Sequence, residues 1–96
     1  MMTVYKYPLR IAHEQTIKLP EHAEVLSVCE QHEGVVLYAM VDKDRPAIEP
    51  HTVCIVGTDY DAPDLTGFDF VGTCNLHHGL LMFHVFVRKE AADGAN

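Results

Sequence analysis

His13-Glu14 opens the pattern His-Glu-x-x-His, in which two histidines one helical turn apart hold zinc and the glutamate serves as base, but Ile17 stands where the second ligand belongs. The other histidines with metal-ligand potential are His77, His78 and His84. A hairpin turning at His78-Gly79 sets His84 opposite Thr73, four residues along the strand from His77. That is roughly 13 Å at ~3.3 Å per residue, too far for ligands of one ion. Asp59, Asp61 and Asp64 could offer carboxylate oxygens to a hard cation, yet the loop lacks the glycine and glutamate positions of a calcium-binding loop and reads as a solvated turn stiffened by Pro63. No metal and no cofactor is expected.

Nucleophilic chemistry has as little support. The single serine, Ser27, lies in an apolar stretch without the Gly-x-Ser-x-Gly setting that exposes a catalytic hydroxyl. Cys29, Cys54 and Cys74 show no Cys-x-x-Cys spacing, and each sits in an apolar run, so all three are expected as buried thiols in a reducing compartment. The glycines at 57, 67, 72 and 79 match neither phosphate-cradling nor dinucleotide spacing. The chain is therefore expected not to be an enzyme.

The side chains that draw attention instead are Thr73, Asn75, Met82, His84 and Phe86, which fall on one face of the last hairpin, and Asp59, Asp61 and Asp64 in the loop before it. A half-apolar face bearing one histidine could be a packing wall, a subunit interface or the floor of a ligand site.

These residues need strands to position them. Thr3–Leu9 places Tyr5, Tyr7 and Leu9 on one side at period two, and Pro8 confines it to an edge or a strand end. Thr16–Leu19 alternates with Ile17 and Leu19 inward. The segment 21–33 has two readings: a helix, from Pro20, early acids and Gly34, or one arm of a hairpin turning at Glu33-Gly34. The hairpin pairs Val28 with Ala39 and Leu26 with Val41, gathering Leu26, Val28, Leu37, Ala39 and Val41 on one face. Asp42–Pro50 reads as a loop with two prolines. Thr52–Val56 is a continuous β-branched run, suited to the middle of a sheet.

In the last hairpin, Phe68 to Arg88, the register pairs Leu76 with Leu81, Cys74 with Phe83, Gly72 with Val85 and Phe70 with Val87 as core. Asn75 with Met82, Thr73 with His84, Val71 with Phe86, and Asp69 with Arg88 then form the reverse face. Gly72 leaves a gap for a neighbouring side chain to fill. The fold expected is mainly β: a small antiparallel sandwich or half-open barrel of about seven strands over residues 2–89, with 90–96 a frayed tail, the alternative being α+β with the helix at 21–33.

Length, composition and charge narrow the partners. Ninety-six residues, 48% hydrophobic and 22% charged, suit one folded domain with a modest core. Seven Lys and Arg against fourteen Asp and Glu give −7, which opposes direct binding to nucleic acid. Residues 46–87 carry five acids and no Lys or Arg, making the second half the anionic face. No apolar run reaches the ~18 residues of a membrane span, so neither membrane association nor export is expected, and the cytosol is the expected location.

The segments Tyr5-Lys6-Tyr7-Pro8-Leu9, Glu14–Pro20, Val25–Val28, Leu37–Asp42, Ile55–Thr58, Phe70–Thr73 and His84-Val85-Phe86 resemble, in order across residues 3–87, a family of short proteins from tailed bacteriophages and prophages catalogued as a domain of unknown function. Tryptophan is frequent in that family where Tyr38 and Phe83 stand, and a glycine-histidine pair where Asp59 and Tyr60 stand. The resemblance supplies no catalytic residues and implies a phage accessory context inside a bacterial host. The function expected is non-enzymatic: binding a host or phage macromolecule, with a protein as partner, and inhibition of a host process as one form of it. The alternatives are an oligomeric small-molecule binder with Thr73, Asn75 and His84 lining a site between chains, and a minor virion component. A homo-oligomer built on the reverse face of the last hairpin is also expected.

Overall fold

A computed structural model describes residues 1–32, 34–77 and 79–90. Its seven strands are β1 (Met2–Leu9), β2 (Glu14–Pro20), β3 (Glu24–Gln31), β4 (Gly34–Asp42), β5 (Ala47–Gly57), β6 (Asp69–Leu76) and β7 (Leu81–Lys89). All pairings are antiparallel, in a three-stranded sheet ordered β1-β4-β3 and a four-stranded sheet ordered β2-β5-β7-β6. This is the mainly β, antiparallel two-sheet arrangement expected; among the described residues there is no closed barrel, and β3 stands where the alternative reading placed a helix. Among the described residues no helix is long and apolar enough to cross a membrane.

The alternation of side chains builds the core directly. Val35, Leu37, Ala39 and Val41 of β4 face Val53 and Ile55 of β5, Cys74 and Leu76 of β6, and Val85 and Val87 of β7, with Leu9 and Leu19 closing the ends. The chain passes from one sheet to the other at residues 10–13. There the buried Gln15 side chain accepts a hydrogen bond from the Arg10 N–H at 3.0 Å and donates one to the Arg10 carbonyl at 2.7 Å, satisfying both ends of a buried amide.

Two bulges account for most departures from expectation. In β6 the register shifts between Phe70 and Gly72. The pairs from Gly72–Val85 to Leu76–Leu81 stand as expected, but Phe70 pairs with Phe86 and Asp69 with Val87. Phe70 therefore leaves the core and is 60% exposed, and the Asp69–Arg88 pair does not form; Arg88 binds Glu90 instead at 2.8 Å. In β3 the shift between Val25 and Ser27 turns Leu26 out of the expected core. Val28 pairs with Leu37 and Gln31 with Gly34, so the hairpin closes one residue earlier than Glu33-Gly34, with His32 at φ 54°. Glu33 and His78 lie outside the described residues, as do 91–96 of the expected tail.

Residues 47–50, read as loop, are the start of β5. Pro50 is tolerated because it lies opposite Glu90, one step past the end of β7: its carbonyl still accepts from the Glu90 N–H at 3.0 Å, and its missing N–H costs the ladder only a terminal bond. Glu90 itself, placed in the frayed tail, is held by that bond and by Thr52 and Arg88. Leu81, expected in the core, sits at the strand's exposed first position. The gap at Gly72 is filled from the other sheet: an added Cβ would lie 3.0 Å from Cγ2 of Val28, where β3 packs on β6.

Candidate functional site

β5 and β6 are both antiparallel to β7 and so run parallel to each other. β5 ends opposite Phe83 and β6 begins opposite Val87, so residues 58–68 must travel back along β7 to start β6. At one end of that crossing, Oγ1 of Thr58 hydrogen-bonds Nε2 of His84 at 2.8 Å; at the other, the Arg88 guanidinium lies 4.5 Å over the Phe68 ring. His84 and Arg88 share the outward side of the sheet. The acidic loop and the reverse face of the hairpin are thus one surface. Cys54 and Val56 also point outward there and are nevertheless buried, as a bare solvent-facing sheet would not allow.

His84 has both ring nitrogens engaged, Nε2 by Thr58 and Nδ1 by Oγ1 of Thr73 at 2.9 Å. One hydroxyl accepts from the ring N–H and the other donates to the bare nitrogen, so the ring pins the crossover loop to β6. Phe86 packs against Phe70 with ring centroids 5.4 Å apart. Asn75 pairs with Met82 and lies beneath Gly79, whose φ of 90° suits the turn. In the loop, the Asp64 carboxylate accepts from the Thr66 hydroxyl at 2.6 Å and the Thr66 N–H at 3.0 Å, and those bonds hold it below the usual carboxylate range. Asp61 is exposed, and Asp59 turns the chain at φ 74°. Among the described residues no three His, Cys, Asp or Glu side chains gather as metal ligands.

The thiols divide. Cys54 and Cys74 are buried, which raises the pKa of each, whereas Cys29 is exposed, against expectation. It sits on the outward side of the edge strand β3, opposite the buried Val36 of β4, and its Sγ lies 3.8 Å from Oη of Tyr38.

A hollowed surface lies at one end of the sandwich. A cavity of about 420 Å³ is walled by the inter-sheet corner, by the start of the crossover and by the β6–β7 turn. Around it Ile11, Tyr60, Leu80, Leu81 and Met82 leave large apolar side chains in solvent, Leu80 at 83% and Tyr60 at 71% exposure. His13 and Asp59 are the titratable groups in its wall besides Tyr60. Of the side chains singled out from sequence, Met82 and Asp59 belong to this groove; Thr73, His84, Asn75 and Phe86 lie outside its wall. Ile11, Tyr60, Leu80 and Leu81 were not foreseen. The available signal was Leu80-Leu81-Met82 directly after the turn glycine, an apolar run where polar residues are the rule.

Over residues 1–95 the chain matches the model of a domain of unknown function, DUF7352, and it belongs to that family. No curated protein and no solved structure matches it.

Proposed function

We propose that this DUF7352 chain is a non-enzymatic binding protein that docks a protein partner on the end groove, acting as a phage or prophage accessory factor inside a bacterial host and restraining a host process through that contact. The observation that carries this reading is the ring of protruding apolar side chains, Ile11, Tyr60, Leu80, Leu81 and Met82, around the cavity. A small-molecule site keeps its apolar groups in recessed walls, whereas a leucine at 83% exposure on a turn presents itself to a surface at least as large as its own. Asp59 in the groove wall and the exposed Asp61 two residues further along the loop, in a half of the chain without Lys or Arg between 46 and 87, favour a partner patch that is apolar at its centre and basic at its rim.

The test compares the chain with Leu80→Asp and Tyr60→Asp, immobilised and exposed to bacterial lysate, with Ser27→Asp on the outward side of β3 as control. The reading expects a protein retained by the parent and the control and lost by both groove variants, all four chains showing the same β circular dichroism. Retention unchanged by the groove variants, or nothing retained by the parent, refutes it. A volume of about 420 Å³ also falls in the range of small-molecule sites. That second reading expects thermal stabilisation of the parent, and not of Leu80→Asp, by a metabolite or nucleotide.

A further inference from the structure

The exposed edge of β1 has a geometry of its own. The Lys43 N–H donates to the Met1 carbonyl at 3.4 Å, one step beyond the Met2–Asp42 pair. Hydrogen-bonded pairs alternate along an antiparallel ladder, so the odd residues of β1 turn their main-chain groups to β4. The even residues, Met2, Val4, Lys6 and Pro8, turn theirs away from the sheet. Among the described residues, the side opposite β4 is therefore a row of N–H and C=O groups without a main-chain partner.

Edge strands are ordinarily guarded by charge, brevity or cover. The edges β3 and β6 pack on each other, and β3 carries Glu24 and Glu30; β2 carries Glu14 and Lys18 and is irregular at Leu19/Pro20. β1 is eight residues long with no acid, and its one charge, the exposed Lys6, reaches back over the sheet and away from the edge: Nζ donates to Oε1 of Gln31 at 2.7 Å, across β4 on β3. Met2, Val4 and Tyr5 are left exposed. Pro8 interrupts the open row only at its end.

We propose that two copies of this chain associate through β1, antiparallel about a twofold axis at Tyr5, joining two three-stranded sheets into one of six strands. Core-facing residues must oppose core-facing residues, which near-full overlap allows with the twofold at Tyr5 or at Lys6; the second sets lysine against lysine, so the register places Tyr5 opposite Tyr5, Thr3 opposite Tyr7, Val4 opposite Lys6 and Met2 opposite Pro8 of the second copy. The two Val4–Lys6 pairs each exchange two main-chain bonds. Each Met2–Pro8 pair contributes one, from the Met2 N–H, for about six in all. The two lysines never face each other in this register; each faces a valine. A strand pair of this length buries on the order of 1,000 Å², at the low end of specific interfaces, so the dimer is a concentration-dependent one. This surface is distinct from the end groove, and the inference stands whether or not the groove binds a partner.

The experiment is light scattering of the intact chain from 1 µM to 0.5 mM, with three variants. Val4→Pro removes an outward N–H that no intrachain bond uses and leaves a monomer at 0.5 mM. Val4→Lys sets a like charge opposite Lys6 of the second copy and weakens association severalfold; Val4→Glu offers that lysine a carboxylate in place of Gln31 and tightens it. Each variant is required to keep the parent's melting temperature within a few degrees. Separately, Tyr5→Cys in a Cys29→Ser background gives a disulfide-linked dimer on mild oxidation, because a non-hydrogen-bonded antiparallel pair brings Cα atoms to about 4.5 Å, within disulfide reach. A parent monomeric at 0.5 mM overturns the proposal. So does a dimer indifferent to Val4→Pro, or one to which Lys and Glu at position 4 do the same thing.

Discussion

Gly72 offers the sharpest check on how the two sheets close. It is a strand residue without positive φ, so replacing it by alanine should stabilise the fold by about 0.4–1 kcal/mol through the unfolded chain. The structure argues the opposite sign. An added Cβ lies 3.0 Å from Cγ2 of Val28 on β3, and a β-branched side chain has little rotamer freedom with which to retreat. Overpacking of this kind costs about 1–3 kcal/mol, so Gly72→Ala should be net destabilising by about 1 kcal/mol, a fall of roughly 4–8 °C for a domain this small. In a Val28→Ala background the obstacle is gone and the same substitution should stabilise by about 0.4–1 kcal/mol. The assay is a double-mutant cycle by urea unfolding at constant pH, with a coupling energy of about 1.5–2 kcal/mol expected between the sites. Gly72→Ala stabilising in both backgrounds would refute the packing of β3 on β6.

The thiols give a second check: a thiol reagent on the native chain should modify Cys29 within minutes, while Cys54 and Cys74, buried and with raised pKa values, react only on unfolding. Equal rates for all three would contradict the burial. Acid stability is the third. The Asp44 N–H and then the N-terminal ammonium hold Asp42 down, Thr66 holds Asp64 down, and the Arg88 guanidinium and then Thr52 hold Glu90 down. A carboxylate with a depressed folded-state pKa stabilises the fold above the unfolded carboxylate range and loses that contribution as pH falls through the folded value. Stability should therefore decline below about pH 5, and Asp64→Asn with Glu90→Gln should flatten that decline in urea titrations; an unchanged slope would contradict the assigned bonds.

Much of this architecture was legible because period-two patterning is strict wherever one face is buried. Leu37, Ala39 and Val41 on β4, or Cys74 and Leu76 on β6, can occupy only one side of a strand without exposing the whole set. What pattern alone cannot reveal is a bulge, which adds a residue without altering composition. One at Val71 carries Phe70 out to solvent and separates Asp69 from Arg88; one at Leu26 does the same to an expected core leucine. The strand character of 47–50 was hidden for another reason, since Pro50 argues locally for a loop and only pairing with β2 overrides it. The end groove was least legible of all. Ile11, Tyr60 and Leu80 come from three connections, and their proximity follows from the order β5-β7-β6, which forces the 58–68 segment back along β7.

The two proposed surfaces answer to charge in opposite ways. Each copy carries −7, so two copies meeting along β1 approach against a net repulsion that salt relieves; screening has a Debye length of about 10 Å at 0.1 M. The β1 contact itself rests on main-chain bonds and apolar side chains, which salt leaves in place. Raising sodium chloride from 0.05 to 0.5 M should thus strengthen self-association. A partner drawn to the groove by Asp59 and Asp61 gains from the same −7 through long-range attraction, and its binding should weaken over that range. Measured side by side, self-association falling with salt would mean that an ion pair, and not the edge of β1, holds the copies together, while partner binding rising with salt would remove the acidic rim from recognition and leave the apolar ring to account for it alone.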